Sequence, residues 1–246
     1  MLLNCDLGEG YGCWAMGDDA SVMPHIDQAS IACGFHAGDP LTMRRTLALA
    51  AEHGVAVGAH PAYPDLVGFG RRSMVLSREE LIANLHYQVA ALDGMARSLG
   101  MTLAYVKPHG ALYHDMMNDQ AVRSALLQAA ASYASQDQPL AFMIQATTHA
   151  AEHRAEAHAA GVPLLFEVFA DRCYADDGSL LPRSQPGAVH DRERMLAQVA
   201  QLQRDSTVTT HGGNTLELQF DTLCVHGDNP EGVAAINAIR ALSNVG

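Results

Sequence analysis

The side chains best suited to chemistry are acidic, histidine, lysine and arginine residues that recur after short apolar segments. They follow six of the apolar segments, as Asn4, Asp6 and Glu9; His36 and Asp39; His60, Tyr63 and Asp65; Lys107 and His109; Glu167, Asp171 and Arg172; and His226 and Asp228. Carboxylates and imidazoles together can exchange protons near neutral pH or bind a divalent metal ion. Because such recurrence is unusual by chance, we interpret these residues as one site.

Lysine usage singles out one of these residues. The chain has 15 Lys plus Arg residues, of which Lys107, in the segment VKPHG, is the only lysine. A compact ammonium group at this position indicates charge stabilisation, proton transfer or a buried ion pair. A purely structural salt bridge remains the alternative. His109, two residues later, is a natural acid–base partner for it.

The elements that would position these residues alternate between short apolar segments and longer helical patterns. The apolar segments that predict strands are residues 2–4, 26–32, 55–59, 103–107, 140–145, 164–168 and 222–225. Alternation of strands and helices on this scale predicts a parallel sheet with right-handed crossovers. About seven such units favour a closed β/α barrel, in which all the polar strand ends meet on one face.

Helix starts support the same interpretation. Asp39-Pro40 predicts an N-cap and a first helical residue, and Ser77 with Glu80 predicts a capping box. Asp191 and Asn229-Pro230 predict the starts of two later helices. The segment TVTTHGGNTLELQF departs from the alternation, because two strand-like runs flank a Gly-Gly pair. It predicts a small β-hairpin inserted before the last barrel strand.

Several candidates also have a structural explanation. Asp39 is expected to act mainly as a helix cap, and Asp228 is placed to cap the last helix. Asp6 could bind backbone donors in a glycine turn, or act as a metal ligand, general base or substrate anchor. Arg71, in the long loop after the third strand, could pair with a carboxylate or phosphate, although such residues are often solvated.

Bulk properties restrict the class of protein. A length of 246 residues and 48% hydrophobic residues suit one domain spanning 1–246. The formal net charge of −12 argues against nucleic acid or an anionic membrane as the main partner. Five cysteines without a C-x-x-C pair, and a start that lacks the pattern of a signal peptide, predict a cytoplasmic protein with reduced thiols. The sequence contains no G-x-x-x-x-G-K-[ST] motif, so no P-loop for ATP is predicted.

Six ordered motifs carry a resemblance to a known family. They are LNCDLGEGYG, IACGFHAGDP, GAHPAYPDLVGFGRR, VKPHGALYHD, EVFADRCYADDGSL and DTLCVHGDNP. In order and spacing they resemble the family of 5-oxoprolinase A subunits, also called the LamB/YcsF family, over nearly the whole chain. Two departures from the family pattern are Ala62, where glycine is expected, and His114, where asparagine is common. His114 is expected to be peripheral.

The resemblance implies a fold, a reaction and partners. The fold is an irregular seven-stranded α/β barrel related to glycoside hydrolases and polysaccharide deacetylases. The reaction is cleavage of 5-oxoproline to L-glutamate with hydrolysis of ATP, which Mg²⁺ accompanies, in a complex with two partners, the B and C subunits. The family's polar motif positions fall here on Asp6, Glu9, His36, Asp39, His60, Asp65, Lys107, His109, Glu167, Asp171, Arg172, His226 and Asp228.

Roles within this set follow from the chemistry of a stable five-membered lactam. Cleavage needs a cation beside the developing charge, a base for water and an acid for the departing nitrogen. We expect catalytic roles for Asp6, Glu9, His60, Lys107, His109 and Arg172, and substrate binding by Asn4, His36, Asp65, Arg71, Glu167, Asp171, His226 and Asp228. Lys107 and Arg172 would stabilise charge, Asp6 or Glu9 would be the base, and His60 or His109 the proton donor.

Two other functions are compatible with the sequence. A metal-dependent hydrolase or deacetylase acting without ATP would use Asp6, His36 and His60 as candidate ligands for a divalent ion. A non-catalytic subunit would instead shape the active site of its partners. The sequence leaves these alternatives open.

Overall fold

A closed barrel of seven parallel strands forms the centre of the molecule, in a computed structural model that describes residues 1–133 and 139–243. The barrel strands are β1 (Leu2–Leu7), β2 (Gln28–Ala32), β3 (Ala56–His60), β4 (Leu103–Val106), β5 (Ala141–Gln145), β6 (Leu164–Phe169) and, after the short strands β7 (Thr207–Thr209) and β8 (Thr215–Glu217), β9 (Thr222–His226). Neighbouring strands follow chain order, and β9 closes the barrel between β6 and β1. The predicted seven-stranded barrel is confirmed.

Helices lie between the strands around the barrel. They are α1 (Asp19–Val22), α2 (Pro40–His53), α3 (Arg78–Arg97), α4 (Gly110–Asn118), α5 (Gln120–Tyr133), α6 (Ala150–Ala159), α7 (Arg192–Asp205) and α8 (Pro230–Ser243). A short 3-10 helix, Met23–His25, follows α1. No helix in residues 1–133 or 139–243 is long and apolar enough to cross a membrane.

The predicted helix starts are confirmed by their hydrogen bonds. The Asp39 carboxylate accepts from the backbone N–H groups of Leu41 and Thr42 at the start of α2. Ser77 and Glu80 form the reciprocal capping box of α3. The predicted hairpin is also present, because β7 and β8 pair antiparallel before β9. Local sequence therefore set these boundaries correctly.

Alternation along β1 separates the polar centre from the apolar core. Leu3, Cys5 and Leu7 belong to the main hydrophobic cluster. Asn4 and Asp6 point the other way, since both contact Lys107 across the barrel. Lower in the barrel, Tyr105 lies against Gly58, where an added Cβ would stand 2.2 Å from the ring. The barrel interior is therefore polar near the strand ends and filled by side chains below.

One predicted boundary was wrong in a way that matters for the site. The first strand was predicted to end at residue 4, with Asn4 and Asp6 following it, but β1 continues to Leu7. Similarly, His60 is the last residue of β3 rather than a loop residue. Polar residues suggest the end of a strand, yet in this barrel they occupy inward positions of the strand itself and pair with each other. The tertiary environment overrides the local signal.

Candidate active site

Lys107, directly after β4, is the centre of a buried group that we call the lysine cluster (Asn4, Asp6, Lys107, Glu167 and Cys224). Its Nζ lies 2.8 Å from Asp6 Oδ1, 2.9 Å from Glu167 Oε2, and 3.2 Å from both Asn4 Oδ1 and Cys224 Sγ. Only 2% of Lys107 is exposed. One ammonium group thus faces two buried carboxylates contributed by β1 and β6.

The charge state of the lysine cluster follows from these contacts. Burial alone would lower the pKa of Lys107, but Asp6, Cys224 and Glu167 outweigh it and hold the pKa well above its usual value. Burial would raise the pKa of Asp6, whereas His60 and Lys107 lower it below its usual range. Lys107 and Asp6 therefore remain an ion pair at neutral pH. The lysine is at once a structural ion pair and a cation available beside the cavity.

A second buried group, which we call the histidine cluster, comprises Glu9, His36, His60 and His109. Glu9 Oε1 lies 3.2 Å from His36 Nε2, 3.3 Å from His109 Nδ1 and 3.9 Å from His60 Nε2. His60 Nε2 and His109 Nδ1 are 3.0 Å apart. The rings of His36 and His109 stack with their centroids 3.8 Å apart. One nitrogen or oxygen of each of the four residues lies within 4.8 Å of the others.

Burial governs the protonation of the histidine cluster. It lowers the pKa of His36 to about 3 and that of His60 to about 4. It also lowers the pKa of His109 well below its usual value, an effect that His36 and His60 reinforce. Burial raises the pKa of Glu9 to about 7. Neutral imidazoles are metal ligands or bases, so these histidines are poorly suited to the proton-donor role predicted for His60 and His109.

A third pair, Asp171 and His226, has the geometry of an oriented acid–base group. Asp171 Oδ1 lies 2.8 Å from His226 Nδ1, and its Oδ2 accepts from Asn229 Nδ2 at 3.0 Å. Burial would raise the pKa of Asp171, but His226, Asn229 and Arg183 lower it to about 2. Phe169 stacks on the imidazole with ring centroids 5.4 Å apart. The carboxylate holds Nδ1–H and leaves Nε2 for proton exchange.

A cavity of about 300 Å³ opens beside these groups at the carboxyl ends of the strands. Its polar wall includes Asp6, His60, Lys107, His109 and His226, and its rim includes three arginines, Arg71, Arg172 and Arg183. A volume of this size is at the small end of ligand pockets, which suits a small molecule. The position matches that of active sites in β/α barrels.

Arg172 is the most unusual of the three arginines. Only 3% of it is exposed, and its guanidinium donates to the carbonyl oxygens of Leu181 and Ala188 rather than to a carboxylate. Burial, together with Arg183, lowers its pKa to about 10. Arg71 and Arg183 both approach Asp228, the latter at 3.5 Å. The rim is therefore cationic and only partly neutralised.

Not every predicted residue lies in this cavity. Asp65 accepts from Arg72 Nε and from the backbone N–H of Gly68, so it holds the loop after β3 together. It does not line the cavity, which argues against its predicted role in substrate binding. Asp228 pairs with the rim arginines, and the backbone of Asn229, rather than Asp228, precedes α8. His36 and Glu9 lie behind His60 and His109.

Sequence reasoning missed several residues that the structure brings to the site. Phe69 adopts φ 54° and its carbonyl oxygen accepts from His109 Nε2 at 2.9 Å. Arg183, Tyr113 and Phe169 line the cavity, and His114, expected to be peripheral, lies there too. A strained non-glycine backbone is a feature of the fold and leaves no local sequence signal.

Two groups of residues satisfy the spacing of metal ligands among those the structure describes. One is the histidine cluster. The other is Asp6, Cys224 and His226, but there Lys107 Nζ already stands 2.8 Å from Asp6 and 3.2 Å from Cys224. A cation therefore occupies that position as part of the chain. Of the predicted ligands, His36 and His60 lie in the histidine cluster, whereas Asp6 is committed to Lys107.

The fold and site together define a β/α-barrel protein with a small polar cavity of the enzyme type. The LamB/YcsF family model matches residues 1–245, and the chain belongs to this family. It is 56% identical over 241 residues to the Pseudomonas putida protein named as 5-oxoprolinase A subunit 2, covering 98% of this chain and 92% of that protein. It is 52% identical to the Pseudomonas aeruginosa protein named as 5-oxoprolinase A subunit 3, covering 98% and 95%.

Solved structures agree with the family assignment. The lactam utilization protein from Thermus thermophilus superimposes with a TM-score of 0.88 at 37% identity, covering 98% of this chain and 95% of that one. A cellobiose-phosphate cleavage protein, so described, from Enterococcus faecalis has a TM-score of 0.52 at 11% identity, which reflects the fold alone.

Proposed function

We propose that this chain is the A subunit of an ATP-dependent 5-oxoprolinase, which cleaves 5-oxo-L-proline to L-glutamate with ATP hydrolysis. The observation that carries the proposal is near-full-length similarity to proteins named as 5-oxoprolinase A subunits. Those names imply a complex, and we propose that the other components are the B and C subunits of that enzyme. ATP as co-substrate favours a cytoplasmic location.

The cavity supports this assignment through its size and charge. The substrate is a small ring that carries one carboxylate, and the cavity of about 300 Å³ has a cationic rim. Arg172, which has no carboxylate partner at hydrogen-bonding distance among the described residues, and Arg183 would bind the substrate carboxylate. Charge-assisted bonds to guanidinium groups are among the stronger polar contacts in proteins.

Cleavage of the lactam proceeds through activation of its amide oxygen. Transfer of the γ-phosphoryl group of ATP to that oxygen releases ADP and makes the ring carbon electrophilic. Water adds to the carbon and loses a proton, the C–N bond breaks, and the nitrogen takes up a proton. A second water then releases inorganic phosphate from the resulting acyl phosphate, leaving glutamate. The whole sequence consumes one ATP and two water molecules.

The residues of this chain have defined roles in that scheme. Lys107, which lines the cavity, stabilises negative charge that develops on the amide oxygen or the phosphoryl group. Asp6 keeps the ammonium group charged and in place. His226, oriented by Asp171, accepts the proton of water and returns it to the nitrogen. This assigns proton transfer to His226, in place of His60 or His109.

ATP, with Mg²⁺, is bound by the assembled complex in this proposal. The chain has no P-loop motif, and the cavity is at the small end of ligand pockets. The arginines of the rim would face the phosphoryl group as it approaches the lactam. Arg71 is the most exposed of them, with 42% of its side chain accessible.

The proposal is tested by measuring glutamate formation from 5-oxoproline and ATP, with this chain alone and with the candidate B and C subunits. We expect glutamate and ADP only in the complete mixture, since the subunits share the reaction. Glutamate formation that is equally fast without this chain would contradict the proposal. Failure of every mixture to form glutamate, with all chains folded, would also contradict it.

A metal-dependent hydrolase that needs no ATP is the second candidate function. The histidine cluster favours it, because it places three imidazoles and one carboxylate within ligand distance. The same assay separates the two candidates. Turnover that persists without ATP and disappears in a chelator would favour this second function.

A further inference from the structure

We propose that the histidine cluster (Glu9, His36, His60 and His109) binds one divalent transition-metal ion of the zinc class. The inference goes beyond the proposed 5-oxoprolinase function and does not rest on it. It follows from where the hydrogen atoms of the histidine rings are, from the distances between the ligand atoms, and from the charge of the buried group.

Hydrogen bonds fix the tautomers of two of the rings. His60 Nδ1 lies 2.7 Å from the carbonyl oxygen of Lys107, and His109 Nε2 lies 2.9 Å from that of Phe69. A carbonyl oxygen can only accept, so each of these nitrogens carries the hydrogen. Backbone carbonyls that orient imidazoles in this way are typical of metal-bound histidines.

The remaining ring nitrogens therefore direct lone pairs at each other. His60 Nε2 and His109 Nδ1 are 3.0 Å apart, and Glu9 Oε1 stands 3.3 Å from the latter. Three acceptors at such distances repel one another unless a cation lies between them. A single shared proton would join one pair of these atoms and leave the third acceptor unsatisfied, whereas a metal ion would bind all of them.

Spacing within the cluster matches a tetrahedral ion. Bonds of about 2.0–2.1 Å from zinc to nitrogen or oxygen place the ligand atoms of a tetrahedron about 3.3 Å apart. The observed separations are 3.0 Å between His60 and His109, and 3.2, 3.3 and 3.9 Å from Glu9 to the three histidines. The side chains thus stand in a position to bind with small adjustments.

Charge and ligand type define which ion fits. Lys107 already offsets Asp6 and Glu167, whereas the Glu9 carboxylate has only histidines within ion-pair distance among the described residues. A divalent cation would supply the missing charge. Three imidazoles and one carboxylate favour zinc and similar ions over Mg²⁺, which prefers oxygen ligands and retains water. Because His60 and His109 also line the cavity, the ion would lie at its wall.

The test is zinc binding by the chain alone, so that its outcome is independent of 5-oxoprolinase activity. Metal is removed with a chelator, and Zn²⁺ is titrated against a chromophoric competitor. Co²⁺ replaces it in a parallel sample for visible spectroscopy. We expect about one ion per chain and the intense bands of tetrahedral Co²⁺. Excess Mg²⁺ should leave the bound ion in place. Displacement by Mg²⁺ would overturn the assignment to the zinc class.

Variants connect the ion to these residues. Glu9→Gln and His36→Gln should each weaken zinc binding at least about 10-fold, the lower range for altered metal shells. His153→Gln is the matched control, because His153 is a buried histidine on α6 that belongs to neither ligand group. Equal affinity in His36→Gln and His153→Gln would overturn the proposal.

A second measurement protects the test against variants that fail to fold. In the native chain with ¹⁵N-labelled histidine, zinc should shift the resonances of three imidazole side chains and leave the others unchanged. A native chain whose imidazole resonances do not respond to zinc would overturn the proposal, and would indicate a shared proton in its place.

Discussion

Lys107 Nζ lies within 3.2 Å of atoms from Asn4, Asp6, Glu167 and Cys224, and no arginine geometry could reproduce that set of contacts. At the scale of the residue, the only lysine in the chain is therefore explained by the four-sided, buried position it occupies. The sequence predicted that a compact ammonium group was required there. It could not tell an ion pair from a catalytic cation, and the structure shows that the position serves the first and is open to the second.

Removing this ammonium group should destabilise the protein strongly. We expect Lys107→Met to lower the free energy of unfolding by about 3–5 kcal/mol, because two buried carboxylates lose their cation. Urea denaturation measures the change. Arg97→Met is the control, since Arg97 pairs with Asp93 at the surface, where such pairs contribute about 0–1 kcal/mol. Equal losses in the two variants would contradict this account of the lysine cluster.

Arg183 at the cavity rim should affect substrate binding more than folding. We expect Arg183→Gln to raise KM for 5-oxoproline about 10- to 100-fold, the equivalent of one charge-assisted hydrogen bond of about 1.5–3 kcal/mol. Its melting temperature should stay near that of the native chain, because Arg183 pairs with Asp228 only at 3.5 Å. Steady-state kinetics of the assembled enzyme measure the effect. Arg204→Gln, at the surface, should leave KM unchanged.

At the scale of the element, the loop between β3 and α3 presses on the histidine cluster. Gly70 has φ +64°, and a Cβ at this position would stand 2.9 Å from both His36 Cβ and His109 Cδ2. Its carbonyl oxygen also accepts from the N–H of Ala111 at the start of α4. Glycine is required here for two reasons, the left-handed backbone and the absence of room.

Gly70→Ala should therefore damage the site as well as the backbone. The left-handed conformation alone costs about 1–2 kcal/mol with a side chain. Gly100→Ala is a matched control, because Gly100 has φ +75° and nothing within 4 Å of an added Cβ. We expect both variants to lose stability, but only Gly70→Ala to lose zinc affinity and activity. The same loss of activity in Gly100→Ala would contradict the proposed contact.

Asp39 separates capping from catalysis. Its carboxylate accepts from two backbone N–H groups at the start of α2, and also from Gly12. We expect Asp39→Ala to destabilise the protein by about 0.5–2 kcal/mol and to leave kcat unchanged once the chain is folded. Thermal unfolding and steady-state kinetics test the two parts. A large fall in kcat would show that Asp39 acts in the site.

Elements with strong local signals were predictable, and positions set by the barrel were not. The caps at Asp39 and Ser77 and the β7–β8 hairpin follow from local chemistry. The length of β1 was underestimated, since Asp6 pairs with a lysine from the end of β4 that is 101 positions distant in sequence. Asp65 was predicted to bind substrate, whereas it holds its own loop through Arg72 and Gly68. Such pairings depend on the closed barrel.

At the scale of the whole molecule, the histidine cluster links stability to pH. The pKa values of His36 and His60 are about 3 and about 4 in the folded protein, below the value of about 6.5 for an unfolded chain. The unfolded rings bind protons first, so their contribution is complete above pH 6.5 and is lost as pH falls. Glu9 opposes them: its folded pKa of about 7 exceeds the unfolded value, so its contribution is lost as pH rises through 7.

Two histidines outweigh one carboxyl group between pH 6.5 and 4.5. We expect the free energy of unfolding of the metal-free chain to fall by roughly 1–3 kcal/mol on acidification across this range, from about 1.4 kcal/mol per proton and pH unit. Urea denaturation in a chelator measures it. Glu9→Gln removes the opposing contribution, so its stability should fall more steeply. Stability that is constant or rises on acidification would contradict the assignment of neutral, buried histidines.

The central claim is that the polar cavity at the carboxyl ends of the barrel strands is where 5-oxoproline is cleaved. Its most direct test is the rate of glutamate formation by the assembled enzyme with Asp6→Asn, compared with His153→Gln. Asn keeps the shape of Asp6, and Glu167 still pairs with Lys107. We predict a fall in kcat of at least about 100-fold for Asp6→Asn, the lower range for a group acting on the reacting atoms, and native turnover for His153→Gln. Near-native turnover by a folded, assembled Asp6→Asn enzyme would contradict the claim.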